Sequence, residues 1–442
     1  MQYLDNIFFA IILALGIVFF AINIKKISRN IKLGRDVNRS DRPSERWKNM
    51  AMIALGQSKM VKRPIAGILH IIVYAGFIII NVEVLEIVID GLFGTHRVFA
   101  FLGSFYSFLI GSFEILAVLV LGAVIIFYIR RNIIKLKRFI HSDLKGWPKS
   151  DANYILYFEV VLMSLFLLMN AADYHLQLLG IPHYIEAGAF PISQFIEPIF
   201  NGMSESAVMM IERAIWWLHI CGILIFLNYL YFSKHLHILL AFPNTYYADL
   251  NPLGQFDDLE SVTKEVKLMM DPNADPFAAA PVDENAAPQK FGAQDVQDLN
   301  WVQLLNAYTC TECGRCTSVC PANITGKKLS PRKIMMDTRD RLQEVGKNID
   351  ANKGVFIPDN KTLLNDYITP EELWACTSCN ACVEECPVNI SPLSIIIDMR
   401  RYLVMEQSAA PMPLNAMMTN IENNGAPWQY NQQDRLNWKN EN

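Results

Sequence analysis

No cysteine precedes Cys221, and the others are not spread along the rest of the chain. Cys221 is alone in an apolar run, and the remaining eight stand in two tight groups after Thr309. That distribution argues against a disulfide framework and for metal. A basic excess is also missing. Lys and Arg number 39 against 43 Asp and Glu, a formal net charge of −4, so a nucleic-acid partner is not expected. No small-residue cleavage site follows the first apolar run, which is too long for a signal peptide and is expected to persist as a membrane anchor.

What is present divides in two. The chain has 442 residues, 52% of them hydrophobic, a length that predicts two or more domains. Five apolar runs reach the roughly 20 residues that cross a bilayer. They lie at about Ile7–Ile24, Ile65–Ile89, Ser104–Ile129, Tyr154–Ala172 and Ala207–Phe232. Loop charge orients them. Basic residues crowd the loop from Lys25 to Arg63 and the loop from Arg130 to Lys149, whereas Arg97 alone follows the second run. Between Asp173 and Ser206 there is no Lys or Arg, only acids such as Glu186, Glu197 and Glu205. The N-terminus is therefore expected outside a cytoplasmic (inner) membrane, with the C-terminal half in the cytoplasm. Reduced cysteines and iron–sulfur clusters survive in that compartment.

The predicted fold class is an all-α membrane domain of five transmembrane helices followed by an α-helical dicluster ferredoxin domain. We divide the chain into a membrane domain at 1–241, a linker at 242–298, a cluster domain at 299–408 and a tail at 409–442. The linker contains "DPNADPFAAAPVDENAAPQK", with a short helix expected around Glu260–Met270.

The two cysteine groups are Cys310, Cys313, Cys316, Cys320 with Pro321, and Cys376, Cys379, Cys382, Cys386 with Pro387. Each reads C-x2-C-x2-C-x3-C-P, the run that holds paired [4Fe–4S] clusters and sends its fourth cysteine to the other cluster. The expected ligand sets are Cys310, Cys313, Cys316 and Cys386 for one, and Cys376, Cys379, Cys382 and Cys320 for the other. Paired zinc sites also use C-x2-C, but they leave the fourth cysteine and its proline unexplained. Ser330 before Pro331 is an expected helix start, and "SPLSIIIDMRRYLVM" begins in the same style.

Electrons leaving a cytoplasmic cluster for a quinone need a carrier in the bilayer, and histidine is the ligand for haem b. His219 and His237 are eighteen residues apart, five turns of a continuous helix and about 27 Å. His70 lies near the cytoplasmic end of the second run, level with His237, and a bis-histidine haem is expected between them. His235 falls on nearly the opposite helix face. An outer haem on His219 needs a partner: Ile80 stands ten residues past His70, His175 is the nearest substitute and His96 the next. Alternatively, a carboxylate satisfies His219. His141 and His183 read as solvated loop residues. Glu83, Glu86, Glu114 and Glu159 lie in the spans and should face the bundle interior. Either they carry quinone protons, Glu83 and Glu86 being nearest the outer face, or they pair with other helices.

"KRPIAGILH" at His70, "WWLHI" at His219, "SKHLHILLAFPN" at His235 and His237, "CTECGRCTSVCPANITGKKLSPRKIMMDTRD", "CTSCNACVEECPVNI" and "NIENNGAPWQYNQQDRLNW" together resemble heterodisulfide-reductase-type membrane electron-transfer proteins. The membrane half is similar to haem b subunits related to the nitrate reductase gamma chain, and the cytoplasmic half to the small two-cluster subunit of heterodisulfide reductase. The resemblance implies haem b in the bundle, five spans, a quinone pool (menaquinone or ubiquinone) as membrane partner, and a cysteine-rich CCG-domain subunit for the substrate chemistry. In the nitrate reductase relatives the second span supplies two histidines; here it supplies His70 alone. No "CCG" occurs in this chain, so that subunit is expected to be a separate protein, with the tail from about Met412 either its docking strip or a disordered segment. The reading is an electron-transfer subunit of an oxidoreductase, without catalysis of its own. The competing reading is a membrane-anchored iron–sulfur redox sensor or scaffold with neither haem nor quinone activity.

Overall fold

The computed structural model describes residues 4–273 and 290–440. Its first half is built from helices long enough to cross a bilayer. These are α1 (Leu4–Ile31), α3 (Pro64–Phe93), α4 (Ser104–Tyr128), α5 (Trp147–Leu178) and α6 (Glu205–Tyr229), with the short α2 (Pro43–Met50) lying between α1 and α3. Local chemistry starts and stops them. Pro64 and Pro148 occupy first turns, where a missing N–H costs nothing, and the Ser204 hydroxyl accepts from Ala207 N to begin α6. Helix α3 packs on α4, α4 on α5 and α5 on α6, and α1 closes the ring against α3 and α6.

The bundle is apolar outside and polar within. Ile7, Leu15 and Phe19 of α1, Phe105 and Phe108 of α4, and Leu218 and Ile225 of α6 are exposed, while Glu114, Asn170 and Asp173 are buried. Such a surface suits lipid and is a liability in water. Glu83 and Glu86 also face inward, whereas Glu159 is half-buried.

The helix carrying His219 does not reach His237. Helix α6 gives way to a tight turn at Leu230–Phe232, Ser233 is extended (φ −112°, ψ 149°), and a second tight turn leads into α7 (His237–Tyr246). The five-turn helix expected between the two histidines is thus corrected. The Ser233 hydroxyl accepts from His235 N, and Asp151 of α5 accepts from Lys234 N. These polar partners satisfy the backbone where the helix ends.

Helix α8 (Glu260–Met270) forms where the sequence predicts it, and most of the Pro/Ala-rich stretch after it lies outside the described residues. Both ends of the expected linker are nonetheless built into the fold. Asn244 donates to Val388 O (2.7 Å) and accepts from Asn306 (3.1 Å), and the fully buried Arg46 donates to Tyr246 O and Ala248 O. These polar contacts carry structure past residue 242, where composition alone suggested a free connection.

The second half comprises α9 (Trp301–Thr309), α10 (Arg315–Val319), α11 (Pro321–Ile324), α12 (Pro331–Ala351), α13 (Leu363–Asp366), α14 (Pro370–Trp374), α15 (Ala381–Glu385) and α16 (Pro392–Met405). Among the described residues no strand forms, and two isolated bridges stand alone. Ser330 and Ser391 cap α12 and α16 through Lys333 N and Ser394 N. A separate exposed helix, α17 (Met412–Asn424), lies in the tail.

One hydrophobic core runs through both halves, from Ile27, Leu162, Phe226 and Leu236 to Leu304, Tyr308 and Leu342. Beside it the strand-like pairing of Arg35 with Asn300 brings two backbones together: Arg35 N donates to Leu299 O (2.8 Å) and Trp301 N to Arg35 O (3.1 Å). Gly34 makes this approach possible, since a Cβ there would meet Trp301 N at 2.7 Å and Leu299 O at 2.8 Å. Gly34→Ala should therefore cost about 1–3 kcal/mol by overpacking, read as a lower melting temperature and faster proteolytic release of the C-terminal half. Gly122→Ala, with nothing within 4 Å of its Cβ, should be neutral or stabilising because alanine is the better helix former.

Candidate metal and cofactor centres

The two cysteine loops share a backbone design. In the first, Glu312 and Gly314 adopt positive φ (55° and 71°); in the second, Ser378 and Asn380 do the same (56° and 61°). Each left-handed pair bends the chain between successive cysteines, and Gly314 and Asn380 then open the short helices α10 and α15, which pack on each other. Cys310, Cys313, Cys316 and Cys386 line one cavity together with Met335, Val388 and Ile390. Cys320, Cys376, Cys379 and Cys382 line a second beside Leu329, Leu393 and Ile396, and Cys382 also borders the first. Each fourth cysteine reaches across to the other loop's cavity. Among the described residues no three His, Cys, Asp or Glu converge as ligands of a single ion do. Eight thiols around two apolar hollows fit [4Fe–4S] clusters in the interleaved arrangement.

Burial sets the chemistry of these thiols. It pushes Cys310 and Cys382 up to about 12 and Cys386 up to about 11, and it raises Cys316 as well. Without iron they stay protonated; taking up a cluster must release those protons. The second loop opens outward, with Cys379 exposed.

The first loop faces the bundle, where His70 and His237 stand 6.4 Å apart between ring centres. His237 Nδ1 lies 3.2 Å from Lys234 O. A carbonyl only accepts, so Nδ1 carries the proton and Nε2 keeps its lone pair for a metal. His70 Nδ1 is buried without a partner. The pair fits the ligand set of a bis-histidine haem. His235 packs against His237 (5.2 Å) and Phe226 (5.8 Å).

Lys234, between the histidines and the bundle, is the hinge of a charged seam that sequence spacing does not reveal. Its ammonium pairs with Glu312, which sits between Cys310 and Cys313, and Glu312 also accepts from Arg339 of α12 at 2.8 Å. Burial would raise the Glu312 carboxyl, but Lys234 and Arg339 outweigh it and hold Glu312 below its ordinary value, ionised. Nearby, Arg315 of the same loop donates to Lys59 O and Met60 O (both 3.2 Å), and Arg63 Nε pairs with Glu385 (2.6 Å). Arg332 donates to Arg138 O (2.7 Å) and pairs with Asp143 (3.2 Å). His141, expected in solvent, joins Asp143 at 2.8 Å.

The remaining histidines do not assemble into a second pair around His219. His219 is buried against Phe166 (6.0 Å between ring centres), and its Nδ1 has no partner. His175 lies nine residues beyond Phe166 on α5, about 13.5 Å further along the axis, where Nδ1 meets Glu197 at 2.5 Å. His96 instead joins Asp173 (3.5 Å) and stacks near His183 (5.2 Å). Ile80 fills the core with Phe166, Trp216 and Ile220. Among the described residues no carboxylate pairs with His219, whereas His175 has one in Glu197.

One chain thus combines five helices of bilayer-crossing length with two cysteine loops of matching backbone design. Residues 309–390 match the 4Fe-4S dicluster domain. Over 99% of its length the chain is 30% identical to the probable iron-sulfur-binding oxidoreductase FadF of Bacillus subtilis, covering 61% of that protein. It is 27% identical to the EtfAB:quinone oxidoreductase of Syntrophomonas wolfei, over 92% of this chain and 55% of the relative. A probable membrane-anchored ferredoxin of Chromohalobacter salexigens is 34% identical over 36% of this chain and 25% of its own length. The chain thus spans less than two thirds of the length of these curated relatives. No solved structure matches it.

Interleaved ligation makes a distinctive prediction for paired serine substitutions. Cys386→Ser with Cys313→Ser should remove one cluster and about half of the iron. Cys386→Ser with Cys379→Ser should remove both. Iron assay and low-temperature EPR of the reduced protein separate this from ligation by each run alone, which predicts the opposite pattern.

Proposed function

We propose that this chain is the membrane electron-transfer subunit of an oxidoreductase. It passes electrons between the quinone pool and a cytoplasmic cysteine-rich CCG-domain partner, without catalysing the partner's chemistry. Haem b held by His70 and His237, and two [4Fe–4S] clusters held by the eight cysteines, supply the one-electron carriers. A single observation carries the reading: the neighbouring histidines His70 and His237, which would hold the haem, are tied through Lys234 and Glu312 to the first cysteine loop.

The protein's own residues give this route its order. Cys310, Cys313, Cys316 and Cys386 line the cavity nearer the bundle, in the loop that Arg315 joins to Lys59 and Met60. The other set reaches the surface at Cys379, where a partner can approach. Apolar walls at Val388, Ile390 and Ile396 exclude water, which keeps redox centres from side reactions. The basic loops before α3 and after α4 both contact the cluster domain, through Arg63 and Arg138. That shared side supports an outside N-terminus and a cytoplasmic cluster domain. The name of the Syntrophomonas wolfei relative supports a quinone as the membrane reactant. We assign 1–241 to the membrane domain and 299–408 to the cluster domain. His219 is held as a candidate for a second haem and His175 is not brought to it.

The test is a reduced-minus-oxidised absorbance spectrum of the detergent-purified chain, with haem, iron and sulfide assays alongside. A b-type band that grows when a short-chain quinol is added is the expected result. Iron and sulfide without haem would overturn the proposal and leave a membrane-anchored sensor.

A further inference from the structure

At the end of the bundle away from the cysteine loops, α1, α3, α5 and α6 enclose a cavity of about 260 Å³. That is just below the range of about 300–1,000 Å³ for small-molecule pockets. One wall is aromatic: Phe9, Trp216 and Trp217 stand 5.2–5.9 Å apart between ring centres. Trp216 is one helical turn from His219, so the cavity abuts the middle of the bundle. The charged part of the lining includes Glu83, Glu86, Asp173, Glu212 and Arg213.

Glu83 differs from its neighbours in being unsatisfied. Glu86 accepts from Tyr106 (2.6 Å) and Phe99 N (2.8 Å), and Glu114 accepts from Ile192 N (2.8 Å) and Ser193 N (3.1 Å). Those two anchor the loops that cap the bundle. Glu83 is 3% exposed, its Oε2 has no hydrogen-bond partner, and its Oε1 is 3.9 Å from Arg97. Arg97 is committed elsewhere, to Asp173 (2.6 Å) and Asn170 (3.0 Å). A buried carboxyl oxygen without a partner is costly. The group that completes it must come from the cavity.

We propose that the cavity binds the head group of a quinone and that Glu83 exchanges the proton of its hydroxyl. This rests on the electron-transfer function proposed above. The aromatic wall suits a flat ring, and Glu83 meets one oxygen of that ring. In the oxidising direction the O–H bond of the hydroquinone breaks, its proton passing to Glu83 and its electron to the one-electron carriers. The O–H bond of the opposite oxygen then breaks, its proton leaving directly toward the cavity mouth and its electron to the same carriers, which yields the quinone; Glu83 releases its own proton toward the cavity mouth. Two protons and two electrons leave in all, and reduction is the reverse. Charged groups around Glu83 set its pH response: Asp5 from α1, Glu86 and Asp90 from α3, Glu114 from α4, Asp173 from α5, and Glu212 and Arg213 from α6. The connecting loops add His96, Arg97 and His183.

The experiment uses the full chain with a short-chain quinol and follows cluster bleaching across pH. Glu83→Gln should slow quinol-driven reduction by about a hundredfold or more and flatten the pH profile, with dithionite reduction unchanged; Glu83→Asp should restore part of the rate. Glu83→Gln with the wild-type rate and profile would overturn the assignment and leave the cavity to water. If the wild type ignores every quinol while dithionite reduces it, the electron-transfer reading fails instead. A photoreactive azidoquinone on the wild-type chain gives an independent check. Crosslinks at Phe9 or Trp216–Trp217 support the site, and crosslinks confined elsewhere contradict it.

Discussion

The rest of this structure depends on the buried contact between Lys234, Glu312 and Arg339. Charges out of water are expensive unless paired, and removing one partner of a buried pair costs about 3–5 kcal/mol. That cost makes the geometry of the seam unforgiving. Lys234 also donates to Pro148 O and faces Asp151 within the bundle, but Glu312 is satisfied only when both Lys234 and α12 are in place. The seam flanks both candidate centres directly: Lys234 is three residues before His237, and Glu312 immediately precedes Cys313. Arg332 with Asp143 and Arg63 with Glu385 repeat the device on other sides of the junction. A continuous apolar core beneath them supplies the bulk attraction, and the ion pairs supply the register.

The bundle divides its polar residues between scaffold and chemistry. Glu86 and Glu114 are spent on backbone N–H groups of the loops beyond α3 and α5. Asp173 is spent on Arg97 and His96, and His175 on Glu197. What is left short of partners includes His70, His219 and Glu83. In a low-dielectric interior an unpaired polar atom is costly. His70 lies near the clusters and Glu83 thirteen residues away along the same helix, about 20 Å, with His219 on α6 between the two levels.

Much of this was readable from residue order. Apolar run length fixes where α1, α3, α4, α5 and α6 cross, because the bilayer sets a minimum and lone charges are tolerated only inward. Ser330 with Pro331 announced α12 because capping is a local event. The left-handed residues Glu312 and Ser378 recur at matching places in both loops, as the repeated cysteine spacing suggested they would wrap alike. The break at Ser233 was not readable, since its causes include Asp151, far away in sequence. Without the continuous helix, the eighteen-residue spacing of His219 and His237 loses its meaning, although His237 still arrives beside His70. Nor could order alone reveal that Glu312 pairs with Lys234, or that Arg97 would desert Glu83 for Asp173. These are tertiary choices among several possible ion pairs.

The central claim is that the His70–His237 corner carries electrons between the lipid side and the first cysteine loop. Its most direct test is the His237→Ala chain, reduced in parallel by a short-chain quinol and by dithionite, with haem, iron and sulfide measured on the same samples. The account predicts lost haem, full iron and sulfide, clusters that dithionite bleaches normally, and no bleaching by quinol. A full haem complement with wild-type quinol-driven bleaching would contradict it.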